Sequence, residues 1–364
     1  MLVIVGLVAL GLVWWFVVRP STRSGRSARL RSPKPAATLA AVTRRSAPLV
    51  LGPRVEDAVV EMIGVSKAYG RGERRRLALD GLDLTVPRGE VFGLLGQNGA
   101  GKTTAMRCML GLARPTAGSC RIMGADSGRD LYQVIDRVGA LIETPGLTPS
   151  LSGRRNLLLL ARLDRMGGGE VDRALASAGL SEQADDAVAT YSLGMRQRLG
   201  VAAALLRDPE LVVLDEPANG MDPAGIAQMR HLLAGLAREG RTVVVSSHLL
   251  AEAERICDRI AVIEAGRCVA VGPIGDVLAT ADSGGLIVRV ADVGAARDAL
   301  LAAGIDSTVT HGTLRVGCAS ADGARITEIL AARQLYVSEM RPVRATLEAA
   351  FLGLTSPESS TRDD

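Results

Sequence analysis

Gly96-Gln97-Asn98-Gly99-Ala100-Gly101-Lys102-Thr103 has the spacing G-x-x-x-x-G-K-[ST]. Glycines at these intervals let consecutive backbone N–H groups turn inward as a nest for an anion. A helix starting there adds the positive end of its dipole. The apolar run Val91–Leu95 precedes the loop and the helical text Thr104–Leu112 follows it. That strand–loop–helix context separates a phosphate loop from a chance glycine-rich turn. The backbone from Gly96 to Thr104 then cradles a nucleotide's phosphates. Lys102 reaches the β- and γ-phosphates, and the Thr103 hydroxyl ligates Mg²⁺.

A second apolar run, Leu211–Leu214, ends in two adjacent carboxylates, Asp215 and Glu216. In a parallel sheet, ligands sit beyond the carboxyl ends of the strands, so these acids should face the phosphate loop. Neighbouring strand residues point to opposite sides, which gives each acid its own task. Asp215 is expected to hold Mg²⁺ and Glu216 to orient and polarise an attacking water. The strand Thr242–Ser247 delivers His248 to the same edge, where an imidazole can touch the γ-phosphate or the water.

Elements must exist to carry these groups. Hydrophobic residues make up 48% of the 364 and aromatic residues only 2%, so the core is aliphatic, as suits a parallel sheet covered by helices. Short strands are expected at Val59–Ile63 and Leu82–Val86, and strand and helix patterns alternate to Val271. Residues 56–280 thus form an α/β nucleotide-binding domain, with helical text alone from about 147 to 207. Residues 283–354 follow the order β-α-β-β-α-β and then a final helix, which suggests a small ferredoxin-like α+β module. Residues 355–364 read as a disordered tail.

The N-terminal region is different. Residues 1–18 are an apolar run with Trp14, Trp15 and Phe16 near its end. Residues 19–55 are rich in Arg, Ser, Pro and Ala and read as a basic flexible linker. Two readings stand. Either the run is a transmembrane anchor, with Arg19 onward on the cytoplasmic side, or the start codon is misassigned. The net charge of +4 is too small to imply a nucleic-acid partner, and the excess lies in this arm. The five cysteines share no C-x-x-C spacing and are expected to be buried thiols in a reducing compartment.

Taken together, these motifs resemble the ATP-binding cassette ATPase family over about Val59 to Val271. The decisive stretch is Tyr191-Ser192-Leu193-Gly194-Met195-Arg196-Gln197-Arg198-Leu199, similar to the family signature, which is usually Leu-Ser-Gly-Gly-Gln. The resemblance implies a P-loop cassette with a RecA-like core, an antiparallel β subdomain and a helical insertion. It implies that Ser192 and Gly194 touch the γ-phosphate held by a second copy, so that two copies sandwich two ATP molecules. It further implies that Tyr69 stacks on adenine, that Asn219–Asp222 crosses the dimer interface and that His248 is the switch histidine. Glu143 stands at the Mg²⁺ position where the family usually has glutamine. Leu193 and Met195 replace the usual glycine and glutamine. These departures, with the tail Thr346–Leu352, look like the single-cassette ATPases of bacitracin, lantibiotic and drug export. The expected partner is a membrane permease docked near Glu143–Asn156, and the expected location is the cytoplasmic face of the plasma membrane, peripheral or anchored. A clamp on ribosomes or nucleic acid would carry two cassettes or a long coiled coil. A non-hydrolysing regulatory subunit would not need Glu216 and His248.

Overall fold

Val91–Leu95 (β4) is buried at every position because both faces of its sheet are covered: Val91 and Leu95 enter one apolar cluster, and Phe92 and Leu94 another. The computed structural model describes residues 49–50, 57–70, 72–143, 145–280, 285–310, 312–317, 322–343 and 346–355. The expected anchor over 1–18, most of the linker and most of the tail lie outside these residues. No helix among the described residues is long and apolar enough to cross a membrane.

On one side of β4 run, in order and in parallel, β9 (Thr242–Ser247), β8 (Leu211–Leu214) and β7 (Val138–Leu141). On the other side β10 (Arg259–Glu264) is parallel to β4, and β11 (Arg267–Pro273) turns back antiparallel. Ala265 and Gly266 form the two-residue turn between them with φ of 46° and 81°. Positive φ at both positions matches the twist of the flanking strands. Leu49–Val50 (β1) adds a parallel edge on β11. The linker expected to run free to residue 55 is therefore paired to the sheet at this point.

A second sheet is antiparallel, with β2 (Ala58–Tyr69) between β3 (Arg76–Pro87) and β5 (Ala117–Ile122), and β6 (Ala125–Asp126) at its edge. Strands β2 and β3 are 12 residues each, longer than the alternation predicts. Bulges break the alternation: the register slips between Met62 and Val65 and again beyond it. Gly64 and Gly81 sit there at φ of 57° and 64°. Asp83 accepts from Gly64 N at 2.7 Å, and Ser66 accepts from Gly81 N at 2.9 Å. Side chains thus satisfy amides that the ladder leaves unpaired.

Between β7 and β8 the chain is helical: α2 (Gly153–Leu163), α3 (Gly168–Ser177) and α4 (Leu193–Leu205). Leu157, Val171, Leu175 and Leu199 from the three helices are fully buried in one core with Leu141 and Val212 of the main sheet. Asn156 is buried but satisfied: it accepts from Thr148 N at 2.8 Å and donates to Thr148 O at 3.1 Å. Helix α1 (Lys102–Met109), α5 (Pro223–Arg238), α6 (Leu250–Ile256) and α7 (Ile274–Thr280) complete the first domain.

The small C-terminal sheet is antiparallel throughout, in the order β13 (Ser307–Thr310), β14 (Thr313–Val316), β12 (Leu286–Val290), β15 (Val337–Pro342). Helices α8 (Val293–Ala302) and α9 (Gly323–Ala331) bury Ala296, Leu300, Ile326 and Leu330 against it. The last helix, α10 (Leu347–Thr355), does not join this core. Leu347, Ala350 and Phe351 pack into the first domain, against α6 and α7, and Leu347 N donates to Glu254 Oε2 at 3.2 Å.

Cys108, Cys120, Cys257 and Cys268 are buried and free. Burial pushes the Cys108 thiol up to about 11 and the other three up to about 12. They remain protonated at neutral pH, and a thiol is a poor nucleophile. In the native protein these four should alkylate with iodoacetamide at least about 100-fold more slowly than in urea. Peptide mass spectrometry over a time course checks this; fast native labelling of any one of them would contradict its burial.

Candidate active site

The phosphate loop is held by two close backbone approaches. Gly101, at φ 117°, caps α1, and a Cβ there would stand 2.7 Å from Ala78 O. A Cβ at Gly96 would stand 2.3 Å from Ile263 O. Only glycine fits at either position. The β10–β11 turn braces the loop from behind: Gly266 N donates to Ala100 O at 2.8 Å, and Gly266 O accepts from Asp80 N at 2.9 Å. Gln97, Asn98 and Gly99 remain exposed, while Ala100 is buried.

Lys102 is only 5% exposed. Its ammonium curls into the loop and donates to Gly96 O at 2.7 Å and Gln97 O at 3.3 Å. A buried cation ringed by carbonyls and amides is a site where an anion gains strongly, because little water competes. Glu216 Oε1 lies 3.2 Å from the same ammonium. That oxygen is buried, and the contact lacks the alignment of a hydrogen bond.

The two acids meet different partners, although both lie beyond the end of β8 and strand alternation does not reach them. Thr103 Oγ1 donates to Asp215 Oδ2 at 2.7 Å, and Ser246 Oγ donates to Asp215 Oδ1 at 2.5 Å. Glu216 takes φ 49°, uncommon for a residue with a side chain. Its other oxygen, Oε2, lies 2.8 Å from His248 Nδ1. One carboxylate thus joins the Thr103 hydroxyl, and the next joins Lys102 and His248. A hydroxyl beside a carboxylate is a hard-oxygen donor pair of the kind that holds Mg²⁺ together with phosphate oxygens and water. Thr103 and Asp215 therefore fit Mg²⁺.

Glu143 does not join this pair. At φ 73° in the loop after β7, its carboxylate is engaged by the guanidinium of Arg107 on α1. The structure so brings together two of the three expected Mg²⁺ ligands. Arg107 lies in α1 one turn beyond Thr103, and nothing in its sequence context marks it as a partner for Glu143.

Ser192 is the N-cap of α4 and accepts from Met195 N at 3.2 Å. Arg196 donates back to Tyr191 O. Gly194 lies over the loop after Glu216: a Cβ there would be 3.9 Å from Met221 Sδ, and one at Gly220 would be 3.2 Å from Leu193 Cδ2. The two segments expected to face a second copy are therefore neighbours. Among the described residues, no hydrogen bond or ion pair joins Ser192 or Gly194 to the Lys102–Glu216 cluster. Tyr69 ends β2, is exposed, and carries Lys67 Nζ at 5.0 Å from its ring centroid. Ser246 meets Glu216 and Asp215, and Gly266 meets the phosphate loop at Ala100; no sequence motif marks either. A serine closing the valine run 243–245 was the only signal for the first.

A family model described as "ABC transporter" matches residues 79–219, and a second, described as "AAA domain, putative AbiEii toxin, Type IV TA system", matches residues 187–253. The chain is 43% identical over 219 residues to the bacitracin transport ATP-binding protein BcrA of Enterococcus faecalis, covering 59% of this chain and 69% of that protein. It is 40% identical over 233 residues to the daunorubicin resistance ATP-binding protein DrrA3 of Streptomyces coeruleorubidus, covering 63% and 72%. Among solved structures, it is similar to the dimeric post-hydrolysis state of the ATP-binding cassette MJ0796 bound to ADP and Pi. The TM-score is 0.54 at 25% identity, over 59% of this chain and 98% of that one.

Proposed function

Since the chain belongs to the ATP-binding cassette transporter family and is an ATPase subunit of such a transporter, we propose that it powers export through a separate membrane permease. The substrate class is a drug, a peptide antibiotic or a lipid-like molecule. The relatives' roles in bacitracin transport and daunorubicin resistance support that direction. The observation that carries the hydrolytic assignment is the joining of Lys102, Glu216 and His248 beside the Thr103–Asp215 pair.

In this reading the chain's own groups position and stabilise rather than form covalent intermediates. Loop amides from Gly96 to Thr104 and the Lys102 ammonium bind the β- and γ-phosphates. Thr103 and Asp215 hold Mg²⁺, which neutralises phosphate charge. Glu216 accepts a proton from the attacking water, and His248 fixes the Glu216 carboxylate through Nδ1. Tyr69 offers its exposed face to adenine. Two copies close head to tail, and Ser192 and Gly194 of each meet the γ-phosphate held by the other. The N-terminus of α4 is suited to that anion. Glu143, paired with Arg107 on the phosphate-loop helix, links the loop near the expected permease contact to the nucleotide rather than holding Mg²⁺.

Replacing Ser192 by Ala removes a helix cap worth about 1 kcal/mol. The variant should bind ATP as a monomer with unchanged affinity and hydrolyse it about tenfold or more slowly. Binding by fluorescent nucleotide and turnover by phosphate release separate the two effects; an unchanged rate would remove Ser192 from the shared site. For the transport reading, the protein is recovered from native membranes in mild detergent and its companions are identified by mass spectrometry. A polytopic membrane protein in stoichiometric amount is the expected result. Ribosomal or nucleic-acid-bound proteins in its place would overturn it.

A further inference from the structure

We propose that Ser246 is a positioning residue for hydrolysis: its hydroxyl fixes the backbone of Glu216 and the carboxylate of Asp215 at once. The inference rests on the roles given above to those two acids.

The β8–β9 ladder ends at the pair Leu214–Val245. Asp215 is the next residue on one strand and Ser246 the next on the other. Beyond this point Glu216 N–H has no ladder carbonyl to meet. It donates to Ser246 Oγ at 2.8 Å, and that hydroxyl passes its single proton to Asp215 Oδ1 at 2.5 Å. A hydroxyl has one proton and two lone pairs, so both bonds hold together. Ser246 is 1% exposed, so water does not compete for them. The residues before it, Val243, Val244 and Val245, are buried and apolar. Packing alone would be met by another valine, so burying a hydroxyl here needs a polar reason.

The reason lies in what the two bonds constrain. Glu216 holds φ 49°, and a residue with a side chain stays there only when its surroundings fix it. The Ser246 hydroxyl is one such fixture, and it keeps the carboxylate between Lys102 and His248. With Asp215 Oδ1 taken by Ser246, Oδ2 is the oxygen left to meet Thr103. A continuous chain of bonds therefore runs from the Glu216 backbone through Ser246 and Asp215 to the first turn of α1. Loss of Ser246 should disturb both acids while leaving the loop that binds phosphate untouched.

The test uses three substitutions in the full chain. Ser246→Cys keeps the shape with a much weaker hydrogen-bonding group, Ser246→Ala removes the group, and Ser246→Thr restores a hydroxyl. For Cys and Ala, kcat for MgATP should fall about 10- to 100-fold, the range seen when an outer partner of a ligand is lost. Nucleotide affinity should stay within about twofold, because the loop contacts are intact. The Mg²⁺ concentration for half-maximal activity should rise several-fold, and Thr should recover most of kcat. Parental turnover in the Cys variant would overturn the proposal. So would a Thr variant as slow as the Cys variant, since that assigns the effect to packing. If Ser246→Ala does not fold, the Cys–Thr comparison decides alone. Glu216→Gln is measured alongside: normal turnover there defeats the assignment of the acids themselves. A dead Glu216→Gln with a normal Ser246→Cys defeats only this inference.

Discussion

Glu216→Gln should bind ATP with parental affinity and hydrolyse it about 100- to 10,000-fold more slowly, the range of a general base. The substitution keeps the side chain's size and one carbonyl oxygen, so contact with Lys102 or His248 survives in part. It removes the negative charge and the proton acceptor. Neither group belongs to the loop that holds phosphate, which is why affinity is spared. If binding precedes closure, the variant should also accumulate as an ATP-bound dimer, visible as a larger species on gel filtration with ATP. Single-turnover phosphate release is the deciding measurement. Near-parental release would move the base elsewhere, and the strained backbone at Glu216 would lose its explanation.

Lys102→Ala should lose both binding and turnover. The ammonium supplies the only full positive charge within the described loop, and it is 5% exposed. Charge-assisted hydrogen bonds of this kind are worth about 1.5–3 kcal/mol each, which corresponds to ATP affinity weaker by about 10- to 100-fold. Hydrolysis should fall further, by about 100- to 1,000-fold, as the developing charge loses its stabiliser. The carbonyls of Gly96 and Gln97 also lose their donor, so the loop itself should loosen. A fluorescent-nucleotide titration and phosphate release, each with circular dichroism as a control for folding, check the two parts. Parental affinity in a folded Lys102→Ala protein would mean that the loop amides alone hold the nucleotide. The contrast between the two variants is itself informative: one separates chemistry from binding, and the other does not.

Much of this site is legible in the sequence, because it is encoded in local runs. A buried strand followed by a glycine-rich turn places Lys102 and Thr103. A buried strand ending in two acids places Asp215 and Glu216, and a third delivers His248. All three strands lie side by side as β4, β9 and β8, so local reading and sheet order agree. The features that escaped depend on contacts between distant segments. Ser246 is unremarkable until strand register puts it opposite Asp215. Gly266 is an ordinary turn residue until its amide meets Ala100 O. The family resemblance places Glu143 at Mg²⁺, but the Arg107 guanidinium is the partner it meets in the structure. The extents of β2 and β3 were hidden for another reason, since bulges at Gly64 and Gly81 shift the two-residue period on which strand reading relies.

Helix α10 ties the order of synthesis to the integrity of the ATPase. Its Leu347, Ala350 and Phe351 belong to the same apolar cluster as Val262, Ala270 and Val277, yet the small C-terminal sheet separates them in the chain. The ribosome must therefore deliver the whole second sheet before the first domain can cover this apolar face. A chain cut short after Pro342 would keep every group assigned above to hydrolysis and leave an apolar surface exposed at α6 and α7, the kind of defect that chaperones and proteases recognise. The packing of the nucleotide-hydrolysing domain is thus completed by a segment that lies beyond another fold unit in the chain.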